Sequence, residues 1–556
     1  MLAGGSRRNA APDRAGFTNW LSGYQPQAWL EFSHGYSAAR LRADLVSGLT
    51  VAIVALPLSM AIAIASGVTP AMGLFTAIIG GFLVSAFGGS RYQIGGPAGA
   101  FIVLVAATVH RHGVDGLILA TFLSGFIMIA AGFLRIGLYV KFIPWPVTVG
   151  FTAGIGIIIL ASQLHDLLGL TLSGPEPGAF IAKLTALTAA LPTLNPAAAA
   201  LALSTIAMIV ALRHFAPRLP ALLIAVLVAS LAAWALSLPV ETIGSRFGGI
   251  PRILPLPALP DLSGSKILAV LPDAFSFALL GSIESLLSAM VADNMSGARH
   301  RSNTELVGQG IANIGSALFG GFCVTGTIAR TATNVRSGAT SPLSGMAHSF
   351  ILLGFMLVAA PLAAYIPLAA LGGLLAVVAF NMIERHAISR LLRSSRGDAL
   401  VLGVTFVLVV FRDLTEGILA GFLIGAVLFI DRMSREFLVE AARPGDLGDV
   451  PRDVFVYRIS GAFFFGAASS AGSVLDRMPQ DCRVLIIDCS AVPVIDSTAA
   501  NVLAMAVEKA RAAGMEVIIA GATTAGRRML MAQGLRPPQV RLASRIDHAL
   551  LRAARS

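Results

Sequence analysis

Apolar runs of about 17 to 25 residues follow one another from Leu45 to Phe429, each long enough to cross ~30 Å of hydrocarbon as a helix. This feature constrains the fold more than any other, because backbone in lipid must satisfy its own hydrogen bonds and helices do so within one segment. Of the 556 residues, 56% are hydrophobic and 12% charged, an excess of apolar side chains that a soluble core does not use. The chain reads as an α-helical polytopic membrane protein.

Fourteen segments are predicted, beginning near Asp44, Thr69, Pro97, Gly116, Pro144, Asn195, Leu219, Asp273, Glu305, Thr327, Pro342, Ile366, Asp398 and Glu416. Residues 1–43 read as a cytoplasmic N-terminal segment, 44–432 as the transmembrane transport domain, 433–450 as a linker and 451–556 as a small α/β domain. No cleaved signal peptide is expected, since the first apolar run begins behind Arg7, Arg8, Arg14, Arg40 and Arg42. With the N-terminus inside, the predicted cytoplasmic connections hold twelve Arg and Lys residues, Arg213 and Arg390 among them, against six in the outer ones. The positive-inside rule favours that count and orientation, with both termini cytoplasmic.

The same scatter explains the net charge of +11. Cations in ones and twos between apolar runs set topology and form no stripe for nucleic acid. Cys323, Cys482 and Cys489 have no close partner in sequence, so neither a disulfide framework nor a metal site is expected. No cofactor is indicated.

Two of the fourteen segments, 97–110 and 327–338, are too short to span the bilayer as helices, and each follows a glycine-rich extended stretch. They read as half-helices. Asp44 and Asp273 are 229 positions apart, as are Pro97 and Gly326, the spacing expected of a duplicated seven-segment unit. Seven crossings invert the second copy, so the half-helices enter from opposite sides and aim their N-termini at one midplane point.

A half-helix that ends in mid-membrane exposes unpaired N–H groups and the positive end of its dipole. Two such ends make an anion site. Gly96, Pro97, Ala98 and Gly99, with Gly326 and Thr327, allow close approach to the backbone, and the Thr325 and Thr327 hydroxyls are candidate donors. The competing reading is tight helix packing by small residues. Arg330 lies inside the second half-helix, where it either sets a positive potential beside the site or makes a structural ion pair.

Glu284, with Gly281 and Ser288 on the same helical face, is the other intramembrane charge. It must be neutralised, either by a coupling proton that travels with the anion or by a permanent salt bridge to Arg330. Asp293 and Asn294 read as solvated connection residues. His165, His300 and His386 lie near segment ends without metal-ligand spacing.

Charge returns between Asp431 and Asp449. Beyond it, 484–488 and 515–520 read as strands and 497–513 and 524–533 as helices, a small α/β alternation. Ser497 is a candidate regulatory residue for phosphorylation or partner contact; alternatively Asp496 and Ser497 cap the helix that follows. No phosphate loop, catalytic triad or zinc pattern occurs, so an enzyme is not expected.

The run Leu56-Pro57-Leu58, the Gly-Gly-Pro-Ala-Gly-Ala-Phe stretch from Gly95, the Ile-Glu-Ser-Leu-Leu run around Glu284 and the Ala-Arg-Thr-Ala-Thr-Asn run around Arg330 resemble the sulfate permease (SulP) family of anion transporters. The tail from Asp488 to Thr498 resembles the STAS domain that these transporters carry. The resemblance implies seven-plus-seven inverted repeats divided into core and gate domains, a homodimer and elevator-like movement in the bacterial inner membrane. It implies a small inorganic or organic anion as substrate. Sulfate, bicarbonate and C4-dicarboxylates are transported by bacterial members.

Glu284 stands where sodium-coupled bicarbonate members use Asp, and Ile328 where they offer a threonine hydroxyl, so the sequence looks most like the proton-coupled dicarboxylate type. Animal members line the site with glutamine and phenylalanine where this chain has Leu58, Ile62 and Ala98, which leaves room for a larger anion. The leading expectation is proton-coupled symport of a C4-dicarboxylate; sulfate or bicarbonate transport and an uncoupled anion channel are the alternatives. A cytoplasmic protein partner of the STAS domain is a further expectation.

Overall fold

The computed structural model describes residues 24–554 except 34, 140–141, 175–176, 178, 218, 442–452 and 476–481. It divides into two units, Met1–Phe422 and Leu423–Ser556. Arg7, Arg8 and Arg14, and the part of the predicted linker at 442–450, lie outside the described residues.

Every one of the fourteen predicted segments coincides with a helix. They are α1 Ala38–Ala65, α2 Pro70–Phe87, α3 at 99–112, α4 at 114–133, α5 Trp145–Leu168, α6 Pro196–Phe215 and α7 Ala221–Ala235. The second half supplies α8 Gly264–Ser296, α9 Ser302–Leu318, α10 Ile328–Arg336, α11 Leu343–Ala363, α12 Leu368–Met382, α13 Arg396–Phe411 and α14 Leu414–Arg435. Among the described residues, nine helical stretches are long and apolar enough to cross a membrane.

Two boundaries differ from the sequence reading, each for a local reason. α8 begins nine residues before Asp273 because the helix continues through Pro272. α3 and α4 are separated only at Gly113, whose φ of 69° and ψ of −176° break one helical run, a conformation that costs a glycine little.

The helices sort into two groups by what they pack against. α1 to α4 pack with α8 to α11, while α5 to α7 pack with α12 and α13. The groups meet where α1 and the start of α3 face α5, α7 and α12. This is the core and gate arrangement.

In the core group the two broken segments cross at a two-residue antiparallel ladder, β1 Gly95–Gly96 and β2 Thr325–Gly326, with Gly95 opposite Gly326 and Gly96 opposite Thr325. Unwound backbone at membrane depth must find partners inside the protein. The ladder supplies some, and Thr327 N–H extends it by donating to Ile94 O at 2.9 Å. Side chains supply the rest: Asn313 Oδ1 accepts from Val324 N–H at 3.1 Å, while Gln309 Nε2 donates to Val324 O at 2.6 Å.

The second unit carries a five-stranded sheet in the order β3-β4-β5-β6-β7, formed by Leu438–Ala441, Val454–Ser460, Val484–Ala491, Glu516–Ala520 and Arg541–Ala543. β3 runs antiparallel to β4 and the other pairs are parallel. Helices α15 Phe465–Leu475 and α16 Ser497–Ala512 cover one face, α18 Ile546–Ala553 the other, and α17 Thr524–Ala532 completes the set. Covered on both sides, β5 reads as a continuous apolar run from Val484 to Ile487 rather than an alternating one. Residues 438–441, assigned to the linker from sequence, form the edge strand β3; only Leu438 and Val439 are large and apolar, too short a run to mark it.

Candidate functional site

The ladder holds the starts of α3 and α10 side by side. Helical bonding in α3 begins with Phe101 N–H donating to Ala98 O at 3.1 Å, and in α10 with Thr331 N–H donating to Thr327 O at 2.9 Å. The preceding N–H groups, at Gly99 and Ala100 and at Ile328, Ala329 and Arg330, have no acceptor within their own helices.

A cavity of about 380 Å³ opens onto both starts. Pro97, Ala98 and Gly99 line it from one side and Thr327, Ile328 and Arg330 from the other, with Leu58 and Ile62 of α1 and Glu284 of α8 beside them. The gate group closes the opposite wall with Thr152, Arg213, Leu222, Asn381, Met382 and Glu384. Positive dipole ends and unpaired N–H groups facing a mostly apolar cavity favour a negative solute there.

Several predicted residues stand behind the cavity. Gly96 and Gly326 belong to the ladder, and a Cβ on either would strike the Arg330 Nη1 atom or the Gln93 amide, respectively. Thr325 Oγ1 donates to Gly281 O at 3.1 Å and Thr327 Oγ1 to Ile94 O at 3.2 Å. Both hydroxyls, expected as donors to an anion, are thus held by protein carbonyls here: Thr325 by Gly281 O within α8, and Thr327 by Ile94 O in the unwound stretch before α3. Ser288 Oγ donates to Thr331 Oγ1 at 3.1 Å, which ties α8 to α10.

Arg330 is 1% exposed. One of its terminal nitrogens donates to Ser59 Oγ at 3.1 Å and to Pro97 O at 3.4 Å, so the guanidinium joins α10 to α1 and to the entry of α3. Its Nε and other terminal nitrogen have no partner among the described residues. Glu284 is 7% exposed, lines the cavity, and pairs with no cation among the described residues. The alternative of a permanent Arg330–Glu284 salt bridge finds no support in this geometry.

A polar frame not marked by any sequence motif surrounds the site. Gln93 Nε2 donates to Ser285 Oγ at 2.6 Å, and Ser285 Oγ donates to Gln309 Oε1 at 3.0 Å. Gln309 and Asn313, four residues apart on one face of α9, are the signal that would have revealed it. Glu305, read only as a segment start, is fully buried and accepts from Gly89 N–H at 2.7 Å and Ser90 N–H at 2.9 Å. Asp293 binds the His300 ring at 2.7 Å, so neither residue is a free connection group.

In the second unit Asp496 caps α16: its Oδ1 accepts from Ala499 N–H at 2.8 Å and its Oδ2 from Phe465 N–H at 2.9 Å. Ser497, first residue of the helix, is exposed. Burial in β5 pushes the Cys489 thiol up to about 12. No group of His, Cys, Asp and Glu residues capable of holding a metal occurs among the described residues.

The profile described as Sulfate permease family matches residues 41–405, and that described as STAS domain matches 449–548. The chain belongs to the sulfate permease family. The family is one of transporters and not of enzymes. YvdB of Bacillus subtilis, named as a candidate sulfate transporter, is 39% identical over 506 residues, 90% of this chain and 95% of that one. The bicarbonate transporter BicA of a Synechocystis strain is 34% identical over 516 residues, 88% and 90% of the two chains.

Among solved structures, the transmembrane domain of a cyanobacterial BicA superposes with a TM-score of 0.61 at 33% identity, covering 70% of this chain and 98% of that one. The overall structure of SLC26A9 superposes with a TM-score of 0.85, covering 100% of this chain and 98% of that one, and at 19% identity this likeness shows the fold alone. The family and its STAS tail are as the resemblance implied. These permease relatives bear the names of sulfate and bicarbonate, and the resemblance to a dicarboxylate type gains nothing from them.

Proposed function

We propose that the chain carries a small oxyanion across the membrane together with a proton, as the core group moves past the gate group in elevator fashion. One observation carries the reading: Glu284, with no cationic partner among the described residues, shares a cavity with the N-terminal ends of two half-helices. The helix ends attract the anion. A proton on Glu284 offsets the desolvation that an arriving anion imposes on a nearby carboxylate. Ile328 offers no hydroxyl for a sodium ion, which favours the proton as coupling ion.

Sulfate and bicarbonate are the first substrates to test, because relatives at 39% and 34% identity are named for them. A C4-dicarboxylate is the second reading. Leu58, Ile62 and Ala98 form an apolar wall beside the helix ends, suited to the carbon chain of an organic anion. The reading includes a homodimer with both termini in the cytoplasm, which the distribution of Arg and Lys favours. Exposed Ser497 is the point on the STAS domain where a modifying enzyme or protein partner has access.

The test is accumulation of labelled sulfate, bicarbonate and fumarate by proteoliposomes under an imposed pH gradient. Concentrative uptake of one of them supports coupled transport. Equilibration without accumulation favours an uncoupled channel.

A further inference from the structure

Three cavities of the membrane unit share one wall residue, Asn381 at the end of α12. The first is the half-helix cavity. The second, of about 630 Å³, also takes Arg213 and His214 from the last turn of α6. The third, of about 320 Å³, takes Glu384 with Arg385 and Arg390 from the short helix Arg385–Ser394. Arg213 lines the first and second, and Glu384 the first and third. Arg213, Asn381 and Glu384 therefore stand where the cavities join.

All three belong to the gate group, whereas Arg330 and Glu284 belong to the core group. The two cations of the half-helix cavity differ accordingly. Arg330 is buried and tied to Ser59 and Pro97; Arg213 is exposed and has no acidic partner among the described residues. A topological role explains a cation at the end of α6. It does not explain an unpaired one placed in the wall of this cavity. A positive charge where low-dielectric walls converge raises the local concentration of anions; Arg385 and Arg390 in the third cavity act in the same sense and Glu384 opposes them.

We propose that Arg213 is a specificity-determining cation for entry: it gathers small oxyanions where the three cavities join, ahead of the half-helix ends. The role rests on the reading that this cavity carries the transported anion. Arg213 sets how much anion is needed for half-maximal transport and leaves the turnover of the loaded carrier unchanged.

Since Arg213 is read as facing the cytoplasm, the experiment measures initial uptake of labelled sulfate, bicarbonate or fumarate, whichever the wild-type chain accumulates, at low and high salt in proteoliposomes whose active molecules present the cytoplasmic face outward. Arg213→Gln is expected to raise KM about 5-fold and Arg213→Glu more than 10-fold, with the maximal rate kept within about twofold and with weaker salt dependence. Glu384→Gln is expected to lower KM. Because a charge reversal near a helix end also bears on membrane insertion, Arg213→Cys is made in a Cys482→Ser background and modified after reconstitution. A cationic thiosulfonate reagent should restore a low KM and an anionic one raise it further.

An Arg213→Glu variant with KM and salt dependence like the wild type overturns the proposal, as does equal response to the two reagents. Ala98→Asp is assayed in parallel, since it tests the cavity itself. Transport lost in Ala98→Asp but unaltered in Arg213→Glu rejects Arg213 alone, whereas transport unaltered in Ala98→Asp rejects the cavity as the anion site and the proposal with it.

Discussion

Asp44 and Asp273 occupy equivalent places in the two repeats, and each reaches across to hold the far end of the other repeat's half-helix. Asp44, in α1, accepts from Ser341 Oγ at 2.6 Å and from Thr340 and Ser341 N–H, just past α10. Asp273, in α8, accepts from Thr108 Oγ1 at 3.0 Å and from Arg111 at 2.5 Å, at the end of α3. Thr340 and Arg111 are themselves 229 positions apart, so the two braces are copies of one contact. Half-helices that meet at one end are thus clamped at the other.

Replacing Asp44 with Asn should therefore loosen the second half-helix. The carboxylate is fully buried and each oxygen accepts from backbone or hydroxyl donors, so an amide in its place leaves donor facing donor at a cost of about 2 kcal/mol. Asp273→Asn should cost less, since Arg111 is half exposed. Heat-induced loss of the monodisperse protein in detergent checks both, and equal midpoints for wild type and Asp44→Asn would count against the clamp.

Gly96→Ala should be damaging out of proportion to its single methyl group. The added Cβ strikes the Arg330 guanidinium, and with the ladder on one side and α2 on the other the side chain has little room to yield. Overpacking of this kind costs about 1–3 kcal/mol and displaces the start of α3. At Gly99 the same change meets only Ile159 and Met382 at 3.5 and 3.6 Å. Gly99→Ala should keep wild-type thermal stability, and a comparison of the two variants by thermal midpoint and uptake checks the difference.

Glu284→Gln removes the titrating group and keeps the shape. Anion binding should persist within about threefold while accumulation driven by a pH gradient disappears, because a neutral amide at every pH resembles the protonated carboxyl alone. Uptake measured with and without the gradient, in the same vesicles, separates the two effects. Retained pH-driven accumulation would remove Glu284 from coupling.

In the STAS domain, Cys489 should resist thiol reagents. Its pKa is raised to about 12 by burial, above the usual thiol value, so at pH 7 to 8 the thiolate is scarcely populated and the sulfur is fully enclosed. Raising the pH within that window should leave it unlabelled. Partly buried Cys482 should react first, as mass spectrometry of maleimide-treated protein would reveal; labelling of Cys489 at the rate of Cys482 would contradict the packing of β5.

The sequence made the membrane unit legible because its signals are local. Apolar length located twelve of the fourteen helices, and glycine clusters next to short segments exposed the broken pair. Partners across space were not legible: nothing near Thr325 tells that its hydroxyl is taken by Gly281 O, or that Arg213 faces a cavity rather than lipid headgroups. The STAS domain was read where apolar runs are continuous, in β5 and β6, and where helical sequence follows them, in α16 and α17. The edge strands β3 and β7 are too short and too exposed for their composition to mark them.

Equilibrium binding of labelled sulfate, bicarbonate and fumarate to purified wild-type and Ala98→Asp protein tests most directly whether the head-to-head helix ends hold the anion. Ala98 lines the cavity at the start of α3, so a carboxylate there places a fixed negative charge against the same N–H groups. The variant should fold, elute as the wild type does and lose binding of whichever anion the wild type takes. Unchanged affinity in a correctly folded Ala98→Asp protein would contradict it.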